Sequence, residues 1–172
     1  MTYSSGMFKK KSDDLYDAQL NKYRNLAKIT DIKNKDKVLE IGCGWGGFSC
    51  FLAKNFSADV TAITISKKQY EKVKEKVYKE KLTEKVNVKL TDYREIKGLY
   101  DKIVSIEMFE AVGEKYWSKY FDVLGSNLKH NGAIGLQTIT IEDKFFKKYR
   151  KFPDFIQTYI FHFPIFLPFL FG

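Results

Sequence analysis

The stretch VLEIGCGWGG (residues 38–47) holds the residues best suited to chemistry. Gly42, Gly44 and Gly47 fit G-x-G-x-x-G, a loop that brings backbone amides against a dinucleotide pyrophosphate. Glu40, Gly42, Gly44 and Gly46 fit equally well the E-x-G-x-G-x-G loop of enzymes that use S-adenosylmethionine. Either way the glycines let backbone approach a ligand, and Glu40 can attract an ammonium group. The loop alone does not choose between them. A nicotinamide site places Asp or Glu about 20 residues further on, at the end of the second strand, to grip ribose hydroxyls. Here that place reads Thr64, Ile65, Ser66, with Gln69 just beyond. These hydroxyl and amide groups can bond a ribose, but the missing carboxylate weakens the dinucleotide reading. Cys43 and Cys50 have no histidine near them in sequence and read as small packed residues, and no His/Cys cluster offers a metal site.

These residues must be positioned by a frame, and hydrophobic spacing predicts one. Strands are expected at 37–41, 59–65, 86–90, 100–106 and 132–140. Helices are expected at 13–29, 46–56, 67–82 and 115–129. The first is capped by Ser12 or Asp13, with Leu15, Ala18, Lys22, Leu26 and Ile29 on one side. The second turns Phe48, Phe51 and Leu52 inward, the third Tyr70, Val73 and Val77, and the fourth Trp117, Tyr120, Phe121, Leu124 and Leu128. Strands alternating with helices, without hairpin turns, predict an α/β fold: a mostly parallel sheet with helices on both faces. The glycine loop follows the first strand, and ligands in such sheets bind beyond the carboxyl ends of the strands.

With 172 residues the chain has one domain's worth of core, and its net charge of +9 suits an anionic partner, either nucleic acid or an acidic lipid surface. Part of that charge is a solvated face: residues 67–85 carry eight lysines and four glutamates. KFFKKYRK (144–151) mixes bases and aromatics, as a plain surface helix does, or one that presses on an anionic bilayer or RNA. The start of the chain lacks the apolar run of a signal peptide, and the two cysteines fit a reduced, cytoplasmic setting. After Asp154 the character changes: the apolar run 155–172 is broken by Pro164 and Pro168, too short and too interrupted for a membrane span. The expected division is a ligand-binding domain over 1–154, with a helical lead over 1–36, and a truncated or aberrant tail over 155–172.

In order along the chain, YSSGMF (3–8), VLEIGCGWGG (38–47), TISKKQ (64–69), DYRE (92–95), IVSIEMFEAVG (103–113) and DFIQTYIF (154–161) make the sequence similar to a known family. It resembles the cyclopropane-fatty-acyl-phospholipid synthases and mycolic-acid cyclopropane synthases, whose fold is the Rossmann-like one of class I methyltransferases. The resemblance implies S-adenosylmethionine as cofactor, with Tyr3 and Ser4 at its methionine end over the 38–46 loop. Thr64, Ser66 and Gln69 would lie along the ribose, and Asp92, Tyr93 and Arg94 beside the adenine. Glu110 matches the glutamate that holds a bicarbonate ion. The implied reaction starts when a cis double bond of an unsaturated phospholipid acyl chain attacks the electrophilic methyl group. Bicarbonate then takes a proton from the resulting cation, and the site must exclude water, which would trap that cation. The implied setting is cytoplasmic and peripheral, at the inner face of the membrane; a homodimer is compatible with it, and nucleic acid is not the expected partner.

The sequence also departs from the pattern. Ser5 stands where many members have Cys, a change that a backbone contact would survive. Gln137 stands where many have a histidine near the bicarbonate; it donates a hydrogen bond but carries no proton at neutral pH. Ala111 follows Glu110 where His is frequent. A methyl-branched or methylene product therefore stands beside the cyclopropane. Five strands are readable where the family's sheet has seven, so the last would expose an apolar edge, and a fragment is expected. Two other readings remain open: a methyltransferase acting on RNA or a small molecule, and an inactive cofactor-binding fragment. Against an amino-group methyltransferase, the fourth strand is followed by EMFEAVG rather than a D/N-P-P-Y/F segment.

Overall fold

The computed structural model describes residues 2–151 and the pair 167–168. Five strands, β1 (Lys37–Ile41), β2 (Asp59–Thr64), β3 (Val86–Leu90), β4 (Tyr100–Ile106) and β5 (Leu128–Gln137), form one sheet in the order β3-β2-β1-β4-β5. Every neighbouring pair is parallel. The order reverses between β1 and β4, which opens a crevice above their carboxyl ends. The expected Rossmann-like α/β architecture is what the chain adopts.

Strand residues alternate between two cores, as the period of two requires. Val38, Val60, Ala62 and Val104 pack with helices α1 (Leu15–Ile29), α2 (Gly47–Phe56) and α3 (Lys67–Lys79) on one face. Leu39, Ile41, Ile63 and Ile103 pack on the other against α4 (Trp117–Ser126), with Tyr120 and Leu124 fully buried. α3 touches the core through Val73 and Val77 alone and leaves its lysines and glutamates to solvent. A short helix, α5 (Asp143–Lys151), follows β6 (Thr140–Ile141), which pairs with β7 (Leu167–Pro168). Among the described residues no helix is long and apolar enough to cross a membrane. Apart from 167–168, the expected tail over 155–172 lies outside the described residues.

Three expectations are corrected. The cap of α1 is Asp14, whose side chain accepts from Asp17 N at 2.8 Å; Asp13 instead accepts from Lys9 N and Lys10 N and closes the preceding turn. Leu15 and Ile29 are exposed, because the buried stripe runs through Ala18, Gln19, Lys22, Tyr23, Leu26 and Ala27. That rotation brings Gln19 and Lys22 under the N-terminal segment, where both bond Ser4. The fourth helix ends at Ser126, not 129: Asn127 closes it with a bond to Val123 O, and its own carbonyl accepts from Tyr100 N. Leu128 thus opens β5, which ends at Gln137, while Phe121 stays about half exposed. β5 is the edge of the sheet among the described residues, and α1 lies over one of its faces.

That cover depends on Gly135. A Cβ there would stand 2.1 Å from Thr30 Oγ1 and 3.1 Å from Leu26 Cδ1, and Thr30 is itself locked by a bond to Leu26 O. Gly135→Ala should destabilise the fold by about 1–3 kcal/mol through overpacking. Gly125→Ala, with nothing within 4 Å inside α4, should stabilise by roughly 0.5–1 kcal/mol. Urea midpoints of the two variants check both signs.

Candidate functional site

At the end of β1 the backbone turns through Gly42, Gly44 and Gly46 with φ of +76°, +52° and +72°, the left-handed region that side chains resist. Gly42 N and Cys43 N both donate to Ile63 O, at 3.0 and 2.9 Å, which ties the loop to β2. A Cβ on Gly46 would meet Val73 at 2.7 Å, and one on Gly47 would meet Tyr23 Oη at 2.2 Å. Gly47 is therefore a packing glycine at the start of α2. The left-handed positions fall on the E-x-G-x-G-x-G spacing, and this geometry decides between the two patterns. Of the glycines in this loop only Gly44 would meet nothing within 4 Å: it faces open space.

That space is a cavity of about 550 Å³ across the carboxyl ends of the strands. Its lining includes Asp92, Tyr93 and Arg94 after β3, Thr64, Ser66 and Gln69 at the end of β2 and the start of α3, Gly42 and Gly44 after β1, and Tyr3, Ser4 and Glu40. Of the residues expected to hold a cofactor, only Gly46 stands off the lining. Arg94 grips Asp92 with its backbone N at 2.9 Å, Nε at 2.9 Å and Nη2 at 2.7 Å, and this holds the Asp92 carboxyl below its usual range. Thr64 Oγ1 and Gln69 Oε1 lie 2.7 Å apart, and Ser66 caps α3. Apolar walls come from Ile41, Phe48, Ile63 and Met108.

The N-terminal segment is laid across this cavity by side-chain bonds. Gln19 Nε2 donates to Ser4 O at 2.7 Å, Lys22 Nζ donates to Ser4 Oγ, and Thr2 Oγ1 pairs with Tyr23 Oη at 2.8 Å. Lys22 is buried, and desolvation pulls its pKa down to about 8 against the attraction of Glu107 and Glu40. Glu40 is buried too: desolvation pushes its carboxyl up to about 7, although Ser49 Oγ donates to it. Burial likewise raises both cysteine thiols, Cys50 to about 12, as packed thiols require.

Of the three residues expected to serve the reaction, Ser5 and Gln137 meet at Glu107, and Glu110 is bonded to the two residues that follow Gln137. Ser5 and Gln137 line a second cavity of about 340 Å³ with Lys22, Leu136 and Thr138, and both bond Glu107, a residue the sequence reading passed over. Glu107 lies just past β4, lines the large cavity, and has φ of +49°, a conformation that costs a side-chain-bearing residue about 1 kcal/mol. Its position three residues before Glu110, at the switch-point end of a strand, was the available signal. Glu110 lines neither cavity. Its Oε1 accepts from Thr138 Oγ1 at 2.9 Å and from Ile139 N at 2.5 Å, and its buried Oε2 has no donor among the described residues.

Glu40 gives stability a pH dependence. Its carboxyl releases its proton near 4.5 in the unfolded chain and near 7 when folded, so the folded state holds the extra proton between these values. Stability from this group is therefore greatest below 4.5 and falls as pH rises to 7, by an amount on the order of 3 kcal/mol. Glu40→Gln should remove that slope, read as the difference between urea midpoints at pH 5 and pH 7.5.

Residues 1–164 match the family model described as mycolic acid cyclopropane synthetase. The cyclopropane-fatty-acyl-phospholipid synthase of Escherichia coli (strain K12) is 39% identical over 139 residues, which is 81% of this chain and 35% of that protein. Tuberculostearic acid methyltransferase UfaA1 of Mycobacterium tuberculosis is 33% identical over 171 residues, 94% of this chain and 39% of that protein. Among solved structures, mycolic acid cyclopropane synthase CmaA1 complexed with SAH and CTAB superposes with a TM-score of 0.87 at 27% identity, over 97% of this chain and 61% of that one. The chain spans little more than a third of the length of these curated relatives. With the family model matched over nearly the whole chain and the fold shared, the chain belongs to the mycolic acid cyclopropane synthetase family.

Proposed function

We propose that the protein transfers a methyl or methylene carbon from S-adenosylmethionine to the cis double bond of unsaturated phospholipid acyl chains. The observation that carries this reading is the cavity over the left-handed glycines, in a chain whose relatives are named as fatty-acyl synthases and methyltransferases. Gly44 leaves open the space that a Cβ would fill, and hydroxyl, amide and phenol groups line the same cavity. The cofactor supplies an electrophilic methyl group on a sulfonium. The chain's part is to bind and orient it: Asp92, Tyr93 and Arg94 beside the base, Thr64, Ser66 and Gln69 along the sugar, and Tyr3, Ser4 and Glu40 at the amino-acid end. The apolar walls exclude water from a reaction that passes through a cation.

Bicarbonate enters through Glu110. Its bare, buried Oε2 is the kind of atom that a bicarbonate O–H would satisfy, and bicarbonate held there would supply a proton acceptor. In this reading residues 1–154 form the cofactor-binding unit, and the protein works in the cytoplasm, peripherally, at the inner face of the membrane. Exposed Lys144, Phe145, Lys148 and Lys151 on α5 support such a contact, since bases with an apolar side chain suit an anionic bilayer surface.

Expression in a bacterium with unsaturated phospholipids, fed methyl-labelled methionine, tests the reading. The expected result is labelled acyl chains heavier by one CH₂ unit. Label in RNA with unchanged lipids would overturn the substrate, and cofactor binding with no labelled product would identify a binding unit without turnover. Gly44→Val should weaken cofactor binding at least ~10-fold by calorimetry, since it combines a side chain in the cavity with a left-handed backbone. Glu110→Gln should lower turnover roughly 100-fold and leave cofactor affinity unchanged, as expected of a residue outside the cofactor cavity.

A further inference from the structure

We infer that Glu107 reads the charge of the methyl donor: its carboxylate is the counter-charge of the sulfonium and distinguishes the cationic donor from its neutral thioether product. The inference rests on the S-adenosylmethionine reading and deepens it. It starts from position. The cavity runs from Asp92 and Arg94 at the β3 end, past Gln69, to the crevice between β1 and β4. A nucleoside held at the first end leaves the sulfur at the second, and Glu107 is the carboxylate that β4 delivers there.

Its backbone is the second observation. Among the described residues five other than glycine have positive φ: Asp31, Lys35, Ser57 and Lys81, which lie in turns or at helix ends, and Glu107, which lies at the end of a central strand. A left-handed conformation held against its cost in a ligand cavity points to function. Four hydrogen bonds hold it. Glu107 N donates to Gln137 O at 2.8 Å. Ser5 N at 3.0 Å, Ser5 Oγ, and Gln137 Nε2 at 2.9 Å all converge on Oε1. Oε2 takes none of these bonds, so the side chain is oriented through one oxygen.

Among the described residues the cavity is lined by three carboxylates, Glu40, Asp92 and Glu107, and by one cation, Arg94, which is committed to Asp92. Lys22, on α1, is the cation that faces both Glu107 and Glu40. Glu40 draws on Lys76 of α3 as well, while Glu107 shares Lys22 with Glu40, so the charge of Glu107 is not fully matched once Glu40 is ionised. The donor carries a sulfonium and an ammonium against one carboxylate, a net single positive charge; the thioether product carries none. A carboxylate in a wall partly shielded from water acts on that difference, and one on the protein surface would not.

Calorimetric titration at pH 7.5 with S-adenosylmethionine and with S-adenosylhomocysteine tests this, for the 172-residue chain and for two variants. Glu107→Gln keeps an oxygen for Ser5 and Gln137 but loses the charge. Its affinity for S-adenosylmethionine should fall about tenfold, with S-adenosylhomocysteine changed less than about twofold. Glu107→Gly relieves the left-handed strain, so its urea midpoint should not fall, and it should lose the same preference; a shifted ratio in a stable protein cannot come from misfolding. Equal weakening of both ligands, or no change in either, would overturn the role of Glu107 while leaving the cofactor reading intact. A wild-type chain that binds neither ligand would overturn the cofactor reading itself and this role with it.

Discussion

Two backbone amides, Gly42 N and Cys43 N, converge on one carbonyl, Ile63 O. This small knot fixes where β1 stops and makes the chain leave the sheet through left-handed residues, which only glycine occupies without strain. The rest of the site depends on it. The turn starts α2 so that the rings of Phe48 and Phe51 pack, tilted, against Tyr23 of α1, at centroid separations of 5.3 and 5.6 Å. Tyr23 fills the space that glycine leaves at position 47 and holds Thr2 at the start of the chain. A turn of other handedness would close the cavity floor and remove the surface on which α1 rests.

What the sequence made legible follows from this local logic. The strands of the five-stranded sheet were legible because runs such as KVLEI and DVTAIT are apolar on both faces, as buried parallel strands must be, whereas the two-residue strands β6 and β7 carry no such run. The glycine loop was legible as a ligand turn but not as one ligand's turn: spacing allows Gly46 or Gly47 as the last member, and only the backbone angles tell them apart. The boundary between α4 and β5 was misplaced because SNLKHNGAIGL contains no strong breaker before Gly132. Asn127 ends the helix through its tertiary bond to Tyr100, which no local pattern reports. Helix α1 was misread for a related reason. Gln19 is polar, yet it is buried by a bond to Ser4, fifteen residues away, whereas Lys22 sits on the buried side where it was expected.

Glu107 is the sharpest case. Period-two reading of β4 says only which face a side chain takes while the strand lasts. One residue past the strand, a positive φ resets the direction, and the carboxylate meets Ser5 across 102 positions of sequence. Nothing within the IVSIEMFEAVG motif separates its two glutamates. Tertiary structure does: one faces the large cavity, and the other is bonded to Thr138 and Ile139 behind it.

The N-terminal segment and the electrostatics of the cavity are then one problem. A buried lysine is costly unless it meets opposite charge, and Lys22 meets it in Glu107 and Glu40. It also donates to Ser4, while Glu107 accepts from Ser5. The segment that crosses the cavity is therefore attached at neighbouring residues to a cation and to an anion that attract each other. A cationic ligand entering beside Glu107 competes with Lys22 for the same carboxylate and bears on the contact that holds the segment down. Charge recognition and the hold on Ser4 and Ser5 thus cannot be tuned independently in this fold, because both run through Lys22 and Glu107.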